Sequence, residues 1–163
     1  MVILNMEKST AMFGAGCFWG VEERFRKLRG VENTTVGYSG GDFPNPTYKD
    51  VCSGKTGHAE VVKVEFDPSI ISYEELLDVF WEIHNPTSLT RQGFDIGTQY
   101  RSVIFYYTPE QKQKALKSKE ELEESGRYDK PIVTKIEPAK EFYRAEEYHQ
   151  KYVQKRSKRS IFH

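Results

Sequence analysis

The sequence predicts an α+β protein: a two-layer α/β sandwich with a split βαβ, ferredoxin-like core and a mixed sheet. Three observations carry that expectation. Apolar periodicity switches between 2 and 3.6 along the chain. The resulting order is strand, helix, strand, strand, helix, strand, then helix, strand, helix, and its first six elements match the split βαβ arrangement. The length, 163 residues, suits one domain able to bury about two-thirds of its unfolded surface without disulfide staples. No internal repeat or low-complexity segment interrupts the pattern, so residues 1–163 are read as a single domain.

Ala11–Gly14 reads as a short strand running into the glycine-bracketed stretch Gly16-Cys17-Phe18-Trp19-Gly20. Val21, Phe25 and Leu28 then recur at i, i+4, i+7, a helical stripe stopped by Gly30. Cys17 therefore falls at or just before a helix N-terminus. Thr34–Tyr38 alternates as a strand should, and a Gly-, Pro- and Asn-rich loop follows to about Gly57. A loop of that length in a compact domain usually serves function. Ala59–Phe66 is the clearest strand, with Glu60, Val62, Val64 and Phe66 on one side and Ala59, Val61, Lys63 and Glu65 on the other.

Ser72 and Glu75 form a capping box, and Tyr73, Leu76, Leu77, Phe80 and Ile83 make one apolar helix face. The polar loop Asn85–Tyr100 leads into a strand at Ser102–Tyr107. Thr108-Pro109 opens a further helix that ends near Gly126. Ile132–Ile136 is expected to be the last strand, and Phe142–Gln154 a helix with a basic, solvated tail.

Composition excludes several classes of partner. Lys and Arg number 24, and so do Asp and Glu. That balance gives no reason to expect nucleic acid or an anionic membrane. The opening MVILNMEKST does not read as a signal peptide. No apolar run approaches the roughly 20 residues needed to cross a bilayer. Two cysteines fit a reducing, cytoplasmic setting better than a secreted disulfide framework. Cys52 and His58 share a loop, with His84 and His149 farther on, but neither C-x-x-C nor H-x-x-x-H occurs. No metal and no cofactor is expected.

Six positions carry candidate chemistry. A helix N-terminus stabilises a thiolate, which makes Cys17 a candidate nucleophile; the alternative is a small buried hydrophobe. Phe18 and Trp19 are either core or a hydrophobic wall for a small apolar group beside that sulfur. Glu60 lies on the more apolar strand face, where burial would keep it protonated and able to donate; otherwise its side chain escapes to solvent at the strand end. Tyr48 and Tyr100, in or beside the long loops, are surface plugs or two phenols converging on one oxygen.

Taken together, "GCFWG" at 16–20, "GYSGG" at 37–41, "PTYKDVCSGKTGHAEVV" at 46–62, "FDIGTQYRS" at 94–102 and "AEEYHQKY" at 145–152 resemble the peptide methionine sulfoxide reductase A family over nearly the whole chain. The resemblance implies a single catalytic domain that reduces methionine-S-sulfoxide, free or in peptides and proteins. It implies that Cys17 attacks the sulfoxide sulfur as thiolate and that Glu60 protonates its oxygen. Tyr48 and Tyr100 would hydrogen-bond that oxygen, Phe18 and Trp19 would hold the S-methyl group, and Asp95 would line the same pocket. Cys17 would be left as a sulfenic acid. Many members carry a resolving cysteine in a glycine-rich tail; this chain has no cysteine after Cys52 and ends RSKRSIFH. An external thiol, from a thioredoxin-type protein or a small molecule, is therefore the expected reductant, with the loop around Cys52 as the other route. A monomer is expected. Two other classes stay open: a thiol-based redox sensor, which needs no acid or aromatic wall, and a binding module for oxidised peptides, which needs no reactive thiol.

Overall fold

A computed structural model describes residues 8–161; the expectation that MVILNMEKST is no signal peptide and the outer limits of the domain fall largely outside them. The chain order is β1 (Ser9–Ala15), α1 (Phe18–Arg26), β2 (Val31–Ser39), α2 (Tyr48–Cys52), β3 (Ala59–Phe66), α3 (Tyr73–Glu82), β4 (Arg91–Gln92) and β5 (Asp95–Ile96). It continues with β6 (Ser102–Tyr106), α4 (Pro109–Glu124), β7 (Lys135–Pro138), β8 (Tyr143–Arg144) and α5 (Tyr152–Ile161).

Six strands form one sheet in the order β7-β6-β1-β3-β2-β8. Its centre, β6-β1-β3-β2, is antiparallel throughout and has the strand order of a split βαβ core. A parallel pairing of β7 with β6 makes the sheet mixed. The predicted α+β sandwich is the observed one.

The side-chain chemistry explains this arrangement. β3 is β-branched and buried along most of its length, as befits a strand paired on both edges. Val62, Val64 and Phe66 face α1 and α3 in the main core, together with Phe13, Phe25 and Phe80. On the opposite sheet face, Met12, Ala59, Val61, Val103 and Phe105 are covered by Ala139 and Phe142. The capping box at Ser72 is formed in full, and Thr108 caps α4 with Pro109 at its first position.

Two elements depart from the sequence expectation. The strand expected last at Ile132–Ile136 runs instead over Lys135–Pro138, and β8 follows it at Tyr143–Arg144. Residues 132–134 are engaged elsewhere: Val133 N–H donates to Pro86 O, and Thr134 Oγ1 meets Ser102 Oγ at 2.7 Å. Phe142–Gln154 is not a helix. Tyr143 and Arg144 pair with Tyr38 and Gly37, a tight turn spans Glu147–His149, and only at Tyr152 does α5 begin. The Gln150 amide competes successfully with helix formation by bonding both Val36 N–H and Val36 C=O. Both long loops are also more structured than expected. The first contains α2, opened by a reciprocal Thr47–Asp50 capping box, and the second contains the β4–β5 hairpin.

Candidate active site

β1 delivers the chain to the N-terminus of α1, where Cys17 is the N-cap residue. Gly16 makes the corner with φ +103°, and a Cβ there would press on the Gln92 side chain. Gly20 has open space around its Cα, so its missing side chain leaves room beside the sulfur rather than satisfying packing. A cavity of about 600 Å³ opens at this point, lined by Gly16, Cys17, Gly20, Arg24, Asn85 and Gln92. Another cavity, about 650 Å³, lies at the other end of β1 around Ser9 and Tyr73, remote from this chemistry.

Glu60 is 1% exposed. Its Oε1 accepts the N–H of Phe18 at 3.1 Å, so the carboxyl is tied to the residue that follows Cys17. Its Oε2 is buried and has no partner. Burial pushes the carboxyl up to about 8, against the pull of the Phe18 amide and with help from the Asp95 charge. Glu60 is therefore a neutral acid with one unoccupied oxygen at pH 7.

Cys17 does not follow the simple helix-terminus argument. Burial pushes its thiol up to about 11; the amides of Trp19 and Gly20 oppose this, while the charges of Glu60 and Asp95 add to it. Desolvation outweighs the helix terminus, and the resting sulfur is a thiol.

The phenols of Tyr48 and Tyr100 sit in the field of the same carboxyl, and Tyr100 raises Tyr48 in turn. For both, burial is the main cause of a raised pKa. Tyr48 is the first residue of α2, one turn ahead of Cys52, whose sulfur adds to the rise in the phenol's pKa. Asp95, half-buried on β5, acts electrostatically on Cys17, Glu60 and Tyr100. Phe18 is fully buried against Tyr38 and His149, with ring centroids at 5.7 and 5.1 Å. Trp19 is half-buried, stacks on Tyr152 at 3.9 Å, and donates its indole N–H to His149 Nδ1 at 2.8 Å. Among the described residues no group of three or more His, Cys, Asp and Glu could hold a metal ion, and no helix is long and apolar enough to cross a membrane.

The sequence and the fold have clear counterparts. A profile of the family "Peptide methionine sulfoxide reductase" matches residues 9–163. The chain belongs to the peptide methionine sulfoxide reductase family. The reductase MsrA of Methanothermobacter thermautotrophicus is 60% identical over 162 residues, spanning 99% of this chain and 95% of its own. Among solved structures, reduced Mxr1 of Saccharomyces cerevisiae is 40% identical with TM-score 0.86, covering 93% of this chain and 87% of its own. Mxr1 in complex with Trx2 is 27% identical with TM-score 0.64, covering 93% and 89%.

Within this reductase fold, two residues that hold Tyr48 and Trp19 in place have no role legible in the sequence. Glu146 accepts the Tyr38 hydroxyl at 2.8 Å and the Tyr48 N–H at 2.9 Å, and His149 holds Trp19. Both lie in "AEEYHQKY", a segment that carries likeness to the family but whose spacing alone assigns its residues no role. The capping-box spacing of Thr47 and Asp50 could have revealed α2, and with it the placement of Tyr48.

Proposed function

We propose that this protein reduces methionine-S-sulfoxide, free or in peptides and proteins, with Cys17 as nucleophile and Glu60 as acid. One observation carries the reading: the Glu60 carboxyl is held by the amide that follows Cys17, while its other oxygen is buried, unpartnered and neutral. A sulfoxide oxygen leaves only when protonated, and a free carboxyl oxygen beside a thiol is suited to that task.

The Cys17 sulfur gives an electron pair to the sulfoxide sulfur as the Glu60 proton passes to the oxygen. The S–O bond breaks, the hydroxyl ends on Cys17 and methionine leaves as the thioether. Cys17 is thereby oxidised by two electrons to a sulfenic acid, and the substrate sulfur is reduced by two. The thiol proton leaves to solvent before the attack, and a proton from solvent restores Glu60 afterwards. Tyr48 and Tyr100 hydrogen-bond the oxygen, Trp19 with Phe18 behind it receives the methyl group, and Asp95 borders the site. No step draws on a cofactor or metal.

Recycling takes two external thiols. The first condenses with the sulfenic acid, releasing water and leaving a mixed disulfide; the second frees Cys17. A thioredoxin-type reductant is supported by the likeness to Mxr1 in complex with Trx2. Cys52 is an exposed thiol on α2 whose pKa is raised, chiefly by burial, so it supplies little thiolate to attack Cys17; this favours the external route over an internal one. The protein is a monomeric, single catalytic domain over residues 1–163 and works in the cytoplasm. A redox sensor would need an exposed thiol of low pKa, whereas Cys17 is half-buried and pushed up.

The test is a thiol-coupled assay with separated S and R sulfoxides. Wild type should turn over the S epimer only, and Cys17→Ser should yield no methionine. Turnover by that variant would remove Cys17 as the nucleophile. Mass spectrometry after one turnover without reductant should show Cys17 as sulfenic acid; a 17–52 disulfide would replace the external route.

A further inference from the structure

His149 is 0% exposed and enclosed by aromatic rings: Phe18 at 5.1 Å, Trp19 at 5.6 Å, Tyr48 at 4.5 Å and Tyr148 at 4.0 Å between centroids. Its Nδ1 accepts the Trp19 indole N–H at 2.8 Å. A ring nitrogen that accepts carries no proton, so the neutral ring holds its hydrogen on Nε2. That Nε2 is buried without a partner. An orphan donor in an aromatic enclosure costs free energy that an apolar side chain of the same size would not incur. The compensating gain is at Nδ1, where the indole is fixed.

We propose that His149 is a positioning residue for the substrate pocket, holding the Trp19 indole in the plane that receives the S-methyl group. The proposal rests on the reading of Trp19 as the methyl wall. With Tyr152 stacked on one face and His149 gripping the edge, the indole is restrained in tilt and in rotation about its bond to the chain. Such a restraint lowers the ordering cost of binding and leaves the chemical step alone. The backbone at residue 149 is anchored independently. Glu146 holds Tyr38 and Tyr48, Gln150 holds Val36, and the Lys151 amide donates to Glu22 at 2.7 Å. Exchanging the side chain alone therefore leaves the segment in place.

Three variants test this: His149→Leu removes the acceptor, His149→Asn puts an oxygen where Nδ1 stands, and Trp19→Ala removes the wall. His149→Leu should raise KM for methionine sulfoxide about 3- to 10-fold, the effect of freeing one side chain, with kcat nearly unchanged. His149→Asn should restore KM. In ¹H–¹⁵N spectra the Trp19 indole signal should shift in the Leu variant and return in the Asn variant. The Trp81 indole, bonded to Ser118 Oγ at 2.7 Å, should stay still as the internal control. An unmoved Trp19 signal, or an Asn variant no better than Leu, overturns the proposal. If Trp19→Ala raises KM but His149→Leu does not, positioning by His149 fails while the wall reading stands. If Trp19→Ala is itself silent, the wall reading fails and the proposal with it. Should His149→Leu not fold, His149→Gln against His149→Asn decides, because Gln carries its acceptor one bond too far; equal kinetics for the two overturn the proposal.

Discussion

Two glutamates, Glu22 on α1 and Glu60 on β3, are each 1% exposed and have opposite characters. Glu22 is fully engaged. Its Oε2 accepts Thr34 Oγ1 at 2.7 Å and Lys151 Nζ at 3.1 Å, and its Oε1 accepts the Lys151 amide at 2.7 Å. Glu60 has one amide on one oxygen and nothing on the other. Burial costs both groups hydration; only the partners differ. A buried carboxyl with a cation and two further donors is a structural tie, and one left short of partners keeps its proton and can give it away.

The largest effect expected from this contrast is on rate. Glu60→Gln should slow single-turnover reduction about 10²- to 10⁴-fold, the range for loss of a general acid. Glu22→Gln should leave that rate close to wild type. A Glu60→Gln enzyme with an unaltered chemical step would end the acid assignment.

Stability should respond in the reverse sense. Glu22→Gln gives up charge-assisted bonds and should cost about 1–3 kcal/mol in denaturant unfolding. For Glu60 the linkage has a definite sign. Its pKa is raised in the fold, from 4.5 to about 8. Its contribution to stability is thus complete below about pH 4.5 and is lost as pH climbs to about 8. Glu60→Gln should therefore melt higher than wild type at pH 8 and show no such advantage at pH 4. Equal melting curves at pH 8 would mean that the carboxyl finds solvent or a partner after all.

The pH–rate profile sharpens the contrast further. Attack needs one proton between Cys17 and Glu60, placed on the acid with the sulfur bare. The pair holds two protons below about 8 and one between about 8 and about 11. In wild type, kcat/KM should rise about tenfold per pH unit up to about 8 and then level off. In Glu60→Gln the plateau should vanish and the rise continue toward the thiol's own titration. A wild-type rate falling above pH 8 would show that the reactive form carries both protons.

Much of this was legible in the sequence, and the reasons are physical. β3 announces itself by β-branched alternation, and the same alternation puts Glu60 among Val62, Val64 and Phe66 on the helix-facing side. Local capping chemistry placed α3 and α4. The raised pKa of the Cys17 thiol is not legible in the sequence, because a helix terminus is a local feature, whereas burial is a property of the finished fold. Residues 142–154 were misjudged for a related reason. Phe142 covers the second sheet face, Gln150 completes the β2 edge and Tyr152 stacks on Trp19. Three tertiary roles mimic one helical periodicity when only spacing is visible.

The smallest effects belong to the two phenols, and they test whether Glu60 works alone. Tyr48 and Tyr100 reach the site from separate elements, α2 and the turn before β6, yet both respond to the Glu60 carboxyl. If each donates to the sulfoxide oxygen, each bond strengthens as that oxygen gains charge, so the loss should appear in kcat and not in KM. Tyr48→Phe and Tyr100→Phe should each lower kcat about 5- to 15-fold, the worth of one hydrogen bond of about 1–1.5 kcal/mol. Because one phenol partly covers for the other, the double variant should lose more than the product of the single losses. Independent, multiplicative losses would place the hydroxyls on separate tasks, with Tyr48 serving Cys52 instead of the substrate.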